Sequence, residues 1–216
     1  MEITFFAIPA AGESKSRGGN RLKAVQQTQW RPVAHLGELE LGIARNGAKG
    51  LGTLVDSPDS PELIAGVRLA PVVVRPDDRG YFLELFRWGQ GLAECPTALD
   101  RWQVSAALSY PGTVKAVHYH LRQTDLWTPV LGLLQVMLYD LRVHSPSFGK
   151  RNTIYSGVLR PLQIRIPPGV AHGYKVVGTE AALLVYATDR YYDPADEGRL
   201  AWNDPDVNYD WETQRK

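Results

Sequence analysis

Short apolar segments alternate with turn residues along most of the chain. From Ile64 onward the apolar segments recur at close spacing, and Gly, Pro and Asp interrupt them. The stretch from Gln135 to Arg142 alternates polar and apolar residues, which is typical of a half-buried strand. Many short strands with scarcely any helical stretch predict an all-β sandwich or barrel. The predicted strands are Val67–Val74, Tyr81–Phe86, Trp102–Leu108, Val114–His118, Leu126–Leu131, Leu133–Leu141, Asn152–Val158, Leu162–Ile166, Gly173–Val177 and Ala182–Ala187, with one short helix at Trp88–Glu94.

Residues 1–63 differ from the rest of the chain. They hold only three aromatic residues, all ten tyrosines lie after position 80, and no hydrophobic period of 3.6 or 2 is sustained. The tracts 12–19 and 56–61 are rich in Gly, Ser, Asp and Pro, a composition typical of linkers. We therefore expect residues 1–63 to form a loosely ordered N-terminal extension, or one that only drapes over the domain, with a short edge strand as the second choice, and residues 64–216 to form the single domain.

Composition narrows the possible partners and the compartment. The 216 residues carry 24 Lys and Arg against 23 Asp and Glu, so bulk electrostatics favour neither nucleic acid nor an anionic membrane as partner. No run of about 18 apolar residues predicts a membrane span. The single cysteine, Cys95, excludes an intrachain disulfide framework and fits a reducing compartment, so we expect a cytoplasmic location.

Three of the five histidines fall into one pattern. His118 and His120 are separated by one residue, Asp125 follows five residues later, and His172 comes after the turn sequence 167–169. Residues two apart on a strand project to the same side, so His118 and His120 share a face. That face either belongs to an interior site or is simply exposed to solvent. With the carboxylate and an imidazole from another strand, the set offers three nitrogens and one oxygen. Such donors suit Zn²⁺, Fe²⁺, Mn²⁺ or Ni²⁺.

The two halves of this pattern resemble the two motifs of the cupin superfamily, small jelly-roll barrels that hold such residues in their interior. The first half runs from Gly112 to Gly132, with Asp125 where glutamate is usual. The second half departs from the motif at Pro161 and Val176. The resemblance implies a cupin jelly roll with one interior site.

A second resemblance covers residues 64–211. In order and spacing, several motifs are similar to those of the dTDP-4-dehydrorhamnose 3,5-epimerase family, which is itself a branch of the cupins. The resemblance implies a homodimer that acts on a nucleotide-linked 4-keto-6-deoxy sugar and requires no cofactor. The reaction removes a proton from the carbon next to the ketone and returns it to the opposite face. The motifs are Ile64–Val67, Asp77–Phe86, Gln103–Ser105, Gly112–His118, Ser145–Gly149, Ile166–Gly173, Tyr186–Pro194 and Trp202–Pro205.

The resemblance also implies roles for individual residues. His118 matches the family's base and Tyr186 its acid, although Tyr186 lies in an apolar run and is open to a simpler interpretation as a core tyrosine. The positions that match contacts to the sugar, the nucleotide or its diphosphate are Arg79, Glu84, Gln103, Lys115, His172 and Tyr192.

Four departures set this chain apart from the family. Asp125 stands where the family places a lysine that steadies the enolate, and His120 stands where glutamine is common. Lys115 replaces an arginine, and the C-terminal aspartate that orients the catalytic histidine has no counterpart before Lys216. An anion in place of the lysine reverses the local electrostatics.

Two alternatives to an epimerase follow from these departures. A divalent metal held by His118, His120, Asp125 and His172 would restore the positive charge and act as a Lewis acid on an unknown small molecule. This hypothesis competes with the first, because a metal on His118 occupies the nitrogen that the base needs. The second alternative is a non-catalytic protein that binds a nucleotide sugar.

Overall fold

The computed structural model describes residues 4–5, 29–45, 47–94 and 101–212, so Cys95 lies outside the described residues. The described part is almost entirely β-structure, which confirms the predicted fold class. Where the sequence predicts a short helix, the structure has one 3₁₀ turn at Gly91–Ala93. The described residues contain no helix of the length and apolar character that crossing a membrane requires. The strands are β1 (Thr4–Phe5), β2 (Trp30–Leu36), β3 (Leu39–Ala44), β4 (Thr53–Leu54), β5 (Arg68–Pro71), β6 (Val74–Asp77), β7 (Gly80–Leu83), β8 (Gln103–Ser109), β9 (Val114–His120), β10 (Asp125–Leu131), β11 (Leu133–Asp140), β12 (Arg151–Gly157), β13 (Leu162–Ile166), β14 (Val170–Val176), β15 (Ala182–Thr188) and β16 (Glu197–Arg199).

Two large sheets pack against each other. One has five strands in the order β5-β13-β10-β15-β8, and the other has six in the order β16-β9-β14-β11-β12-β4. Ile164 and Leu184 from the first sheet and Leu138 and Ile154 from the second belong to one buried cluster. Two facing sheets around such a core form the predicted jelly roll, because each strand directs alternate side chains inward.

The six-stranded sheet is covered on both faces. Along β11, Leu134, Val136 and Leu138 belong to the core between the sheets, whereas Met137 and Tyr139 belong to a second buried cluster on the opposite face. All five side chains are at most 2% exposed. A strand buried on both faces needs a second layer outside the barrel, and an N-terminal segment supplies it.

That layer is a hairpin of β2 and β3, within the extension that the sequence predicts to be loosely ordered. Leu41 and Ile43 are fully buried, and the amide of Gly42 donates to the carbonyl of Leu141 at 2.8 Å. Arg31 forms ion pairs with Asp204 and Asp206. The prediction of a loosely ordered extension is therefore corrected for residues 30–44. The apolar face of this hairpin is short, and its one aromatic residue is Trp30. The hairpin becomes stable only when this face packs against the outer face of the six-stranded sheet.

Candidate active site

The histidines lie on neighbouring strands of the six-stranded sheet. His118 and His120 are on β9, and His172 on β14 is paired in register with His118. The turn before β14 has Gly169 at φ +76°, a conformation that favours glycine, and its amide donates to the carbonyl of His120 at 2.8 Å. Gly173 keeps the strands close, since a Cβ there would lie 2.5 Å from that of Ala116.

The facing sheet contributes the carboxylate and the phenol. Asp125 and Trp127 lie on β10, where they pair in register with Thr188 and Tyr186 of β15. These side chains and the histidines of β9 face one cavity of about 290 Å³ between the sheets. Its lining comprises Gln103, Ala107, Lys115, His118, His120, Gln123, Asp125, Trp127, Tyr174, Leu184, Tyr186, Thr188, Tyr192, Glu197 and Arg199.

A wider groove of about 560 Å³ adjoins this cavity. The two share Tyr192, Glu197 and Arg199, and the groove extends to Arg31 and Val33 of the N-terminal hairpin. Arg199 forms an ion pair with Glu197 at 2.7 Å on the border between them. The two spaces therefore meet at the edge strand β16, and the arginines of the groove, Arg31 and Arg199, are both paired with carboxylates.

His118 is held as a neutral imidazole. Burial lowers its pKa, and the nearby His172 adds to this effect, so the pKa falls to about 4 although Glu197 acts in the opposite direction. The ring centroids of His118 and His172 are 5.6 Å apart. At neutral pH His118 therefore carries a lone pair at the cavity wall.

Asp125, His120 and His172 form a compact buried group. One ligand atom from each lies within 4.8 Å of the others, and His118 is outside this group among the described residues. Asp125 Oδ1 is 3.8 Å from His120 Nε2, and Asp125 Oδ2 is 3.4 Å from His172 Nε2. His172, only 1% exposed, lies behind the cavity lining. The structure thus brings together three of the four residues in the predicted metal set.

Two residues that the sequence does not single out hold this carboxylate. The amide of Gln123 donates to Asp125 Oδ1 at 2.7 Å, and the indole of Trp127 donates to Oδ2 at 3.0 Å. Burial alone would raise the pKa of Asp125, but the contacts with His172, His120 and Gln123 outweigh it and lower the pKa to about 2. The signal for both residues is their spacing, two positions before and two after the aspartate, which places them on the same face.

The remaining predicted site residues divide into two groups. Gln103, Lys115, Tyr186 and Tyr192 line the cavity. Arg79 lies in the turn of the exposed β6–β7 hairpin and pairs with Asp77, while Glu84 follows β7 and pairs with Arg87. Neither Arg79 nor Glu84 lines the cavity in the single chain. Their predicted contacts with the nucleotide stay a prediction.

Comparison with known proteins decides the family. A sequence model of the dTDP-4-dehydrorhamnose 3,5-epimerase family matches residues 62–216. The chain belongs to this family. In this member of the dTDP-4-dehydrorhamnose 3,5-epimerase family, His118 and Tyr186 lie on opposite sheets, and His120, Asp125 and His172 form a buried group.

Individual relatives agree with this assignment. The spore coat polysaccharide biosynthesis protein SpsL of Bacillus subtilis is 40% identical over 154 residues, which cover 70% of this chain and 99% of that protein. The probable low-salt glycan biosynthesis epimerase Agl13 of Haloferax volcanii is 34% identical over 70% of this chain and 96% of its own. The solved structure of NovW, a 4-keto-6-deoxy sugar epimerase from Streptomyces spheroides, is 26% identical with a TM-score of 0.63, covering 78% of this chain and 84% of NovW.

Proposed function

We propose that this protein epimerises a nucleotide-linked 4-keto-6-deoxy sugar. The observation that carries the proposal is that His118 and Tyr186 line one cavity from opposite sheets. Inversion at a carbon next to a ketone needs a base on one face of the sugar ring and an acid on the other. Relatives named as epimerases, together with the family match, support this activity.

The chemistry of the two residues suits their positions. His118 removes the proton with its neutral imidazole, and the phenol of Tyr186 returns a proton from the opposite wall. The negative charge that develops on the keto oxygen requires positive charge or hydrogen-bond donors nearby. Asp125 provides neither, so the stabilisation must come from another group on this side of the cavity.

The size of the site fits a sugar that carries a nucleotide. The cavity of about 290 Å³ suits one hexose ring, and the adjoining groove of about 560 Å³ accommodates the nucleotide. Lys115 and Arg199 are the cations among the cavity-lining residues and would face the diphosphate. Tyr192, which borders both spaces, would contact the sugar.

Deuterium uptake tests the proposal directly. With dTDP-4-keto-6-deoxyglucose in D₂O, the wild type is expected to exchange the protons next to the ketone, and His118→Asn is expected to lose exchange by at least about 100-fold because its base is gone. Tyr186→Phe should retain proton removal but lose the inverted product. Mass spectrometry measures the exchange, and the number of deuterons shows whether one or two carbons react.

The matched control is His144→Asn, at a side chain that is 75% exposed. It should exchange at the wild-type rate. Exchange that persists in His118→Asn would remove that residue as the base. A wild type that binds the nucleotide sugar without any exchange would instead favour the non-catalytic alternative.

We further propose that the protein forms a homodimer through β8. This strand is an edge of the five-stranded sheet, and Val104 and Leu108 are 53% and 57% exposed on its outward face. An apolar edge strand is a template for a second copy. The double substitution Val104→Glu and Leu108→Glu should give a monomer by light scattering, whereas Leu159→Glu, at a loop residue that is 98% exposed, should leave the dimer intact. The cytoplasmic location stays a prediction.

A further inference from the structure

The buried group of His120, Asp125 and His172 lies at the wall of the cavity, which His120 and Asp125 line, and it has no role in the proton transfer proposed for His118 and Tyr186. We propose that these three residues bind one divalent transition-metal ion, with His118 left free beside it. The two hypotheses that compete for His118 in the sequence therefore become compatible in the structure.

The first argument is the hydrogen bonding of the two ring nitrogens of His172. Its Nδ1 lies 3.0 Å from the carbonyl oxygen of Val170, and because that oxygen only accepts, Nδ1 carries the hydrogen. The other ring nitrogen, Nε2, faces Asp125 Oδ2 at 3.4 Å. Nε2 is buried and has no hydrogen-bond partner among the described residues. A buried polar nitrogen without a partner is costly, and an ion held between Nε2 and the carboxylate would supply that partner.

The same hydrogen bond is characteristic of metal-bound histidine. An imidazole that ligates a metal commonly donates its other ring N–H to a carboxylate or a backbone carbonyl, which fixes the tautomer and the ring orientation. His172 has this arrangement with Val170. Its ring is further packed edge-on against Trp127, with the centroids 5.0 Å apart. The free nitrogen is therefore held toward the carboxylate.

Distances and charge agree with a metal. Bonds of about 2.0–2.2 Å in tetrahedral geometry place neighbouring ligand atoms about 3.3–3.6 Å apart. One ligand atom from each of the three residues lies within 4.8 Å of the others, so the side chains must draw together by about 1 Å around an ion. Asp125 is 4% exposed, and within the described residues its ion-pair partners are these two histidines rather than Lys or Arg. A divalent ion would supply the missing counter-charge.

Gln123 occupies the other side of the group. Its amide nitrogen donates to Asp125 Oδ1 at 2.7 Å and lies 3.2 Å from His120 Nε2, between the same two atoms that a metal would join. The amide must turn away, or present its oxygen, when the ion enters. Gln123→Glu would place a carboxylate at this position and so add an anionic ligand.

Two neutral imidazoles and one carboxylate suit Zn²⁺ or Fe²⁺ and leave coordination positions open. The binding proposal stands independently of the epimerase activity. One consequence rests on that activity: the ion would bring positive charge to the side of the cavity where Asp125 replaces the family's lysine.

Zinc titration of untagged, chelator-treated protein tests the binding. By calorimetry, the wild type is expected to bind one Zn²⁺ per chain. Asp125→Asn and His120→Gln should each weaken binding by at least about 100-fold, because each removes a ligand. Gln123→Glu should tighten binding about tenfold. Two matched controls, His118→Asn and His144→Asn, should bind zinc like the wild type.

Three results would overturn the proposal: no zinc binding by the wild type, wild-type affinity in Asp125→Asn and His120→Gln, or loss of binding in His118→Asn or His144→Asn. Circular dichroism establishes that each variant is folded before titration. The titration is independent of catalysis, so the two proposals fail separately. Zinc binding without deuterium exchange would refute the epimerase alone, and exchange by a wild type that binds no zinc would refute the metal site alone.

Discussion

Two buried aspartates, Asp125 at the start of β10 and Asp140 at the end of β11, have contrasting surroundings. Asp140, at the end of β11, is fully buried and accepts hydrogen bonds from the backbone and guanidinium of Arg142 and from the hydroxyls of Ser145 and Ser147. Asp125 is almost as buried, and among the described residues it accepts hydrogen bonds from the neutral side chains of Gln123 and Trp127 and faces two imidazole nitrogens. One carboxylate is saturated and paired with a cation, while the other is left open toward a cavity.

The different hydrogen bonding of the two carboxylates indicates different roles: Asp140 stabilises the fold, whereas Asp125 is available to a ligand. The Asp140 network ties the loop after β11 to residue 65, since Arg142 also donates to the carbonyl of Ala65 at 2.6 Å. A saturated carboxylate has no capacity left for a ligand. An under-coordinated one keeps that capacity at a cost in stability, which is the expected property of a functional group.

The largest loss of stability is expected from a substitution at Asp140, and a small loss there would contradict the comparison. Asp140→Asn should lower the free energy of unfolding by about 3 kcal/mol, because it leaves the guanidinium of Arg142 without its carboxylate in a largely buried position. Urea denaturation at pH 7 measures the loss. Exchange activity per folded molecule should be unchanged, since no residue of this network lines the cavity.

The pH dependence of stability gives a second test of the role of Asp140. Burial would raise the pKa of Asp140, but the hydrogen bonds from Arg142, Ser145 and Ser147 outweigh it and lower the pKa below the ordinary 3.8. A carboxyl with a lowered pKa in the folded state adds stability that is present above the unfolded pKa and is lost as the pH falls below it. The stability gap between wild type and Asp140→Asn should therefore narrow below about pH 4. A gap that stays constant would show that the charge contributes little.

A smaller effect is expected at Asp125. In metal-free protein, Asp125→Asn should lower the free energy of unfolding by about 2 kcal/mol or less, because the fold lowers the pKa of this carboxyl to about 2 while the amide can keep one of its hydrogen bonds. Urea denaturation in the presence of a chelator measures it. A loss as large as that of Asp140→Asn would mean that Asp125 primarily holds the fold.

The sequence predicts the barrel better than its outer layer. The strands of the two facing sheets follow the alternation of apolar residues, since one face of each is buried whatever lies outside. The hairpin at residues 30–44 was missed because its stability depends on contacts with β11, far along the chain. The spacing of His118, His120, Asp125 and His172 correctly brings all four to one region. The spacing does not predict that the ligand atoms of His118 lie outside the group formed by the other three, because the positions of those atoms depend on strand register and ring orientation.

The N-terminal hairpin also extends the folded unit beyond the segment that matches the family model. The family match starts at residue 62, yet Arg31 and Val33 form part of the groove wall next to Arg199. A chain shortened to the family boundary would keep all the proposed catalytic and metal ligands. It would nevertheless lose Arg31 and Val33 from the groove wall and expose the apolar outer face of the six-stranded sheet to water, so the folded unit extends beyond the segment that the family model matches.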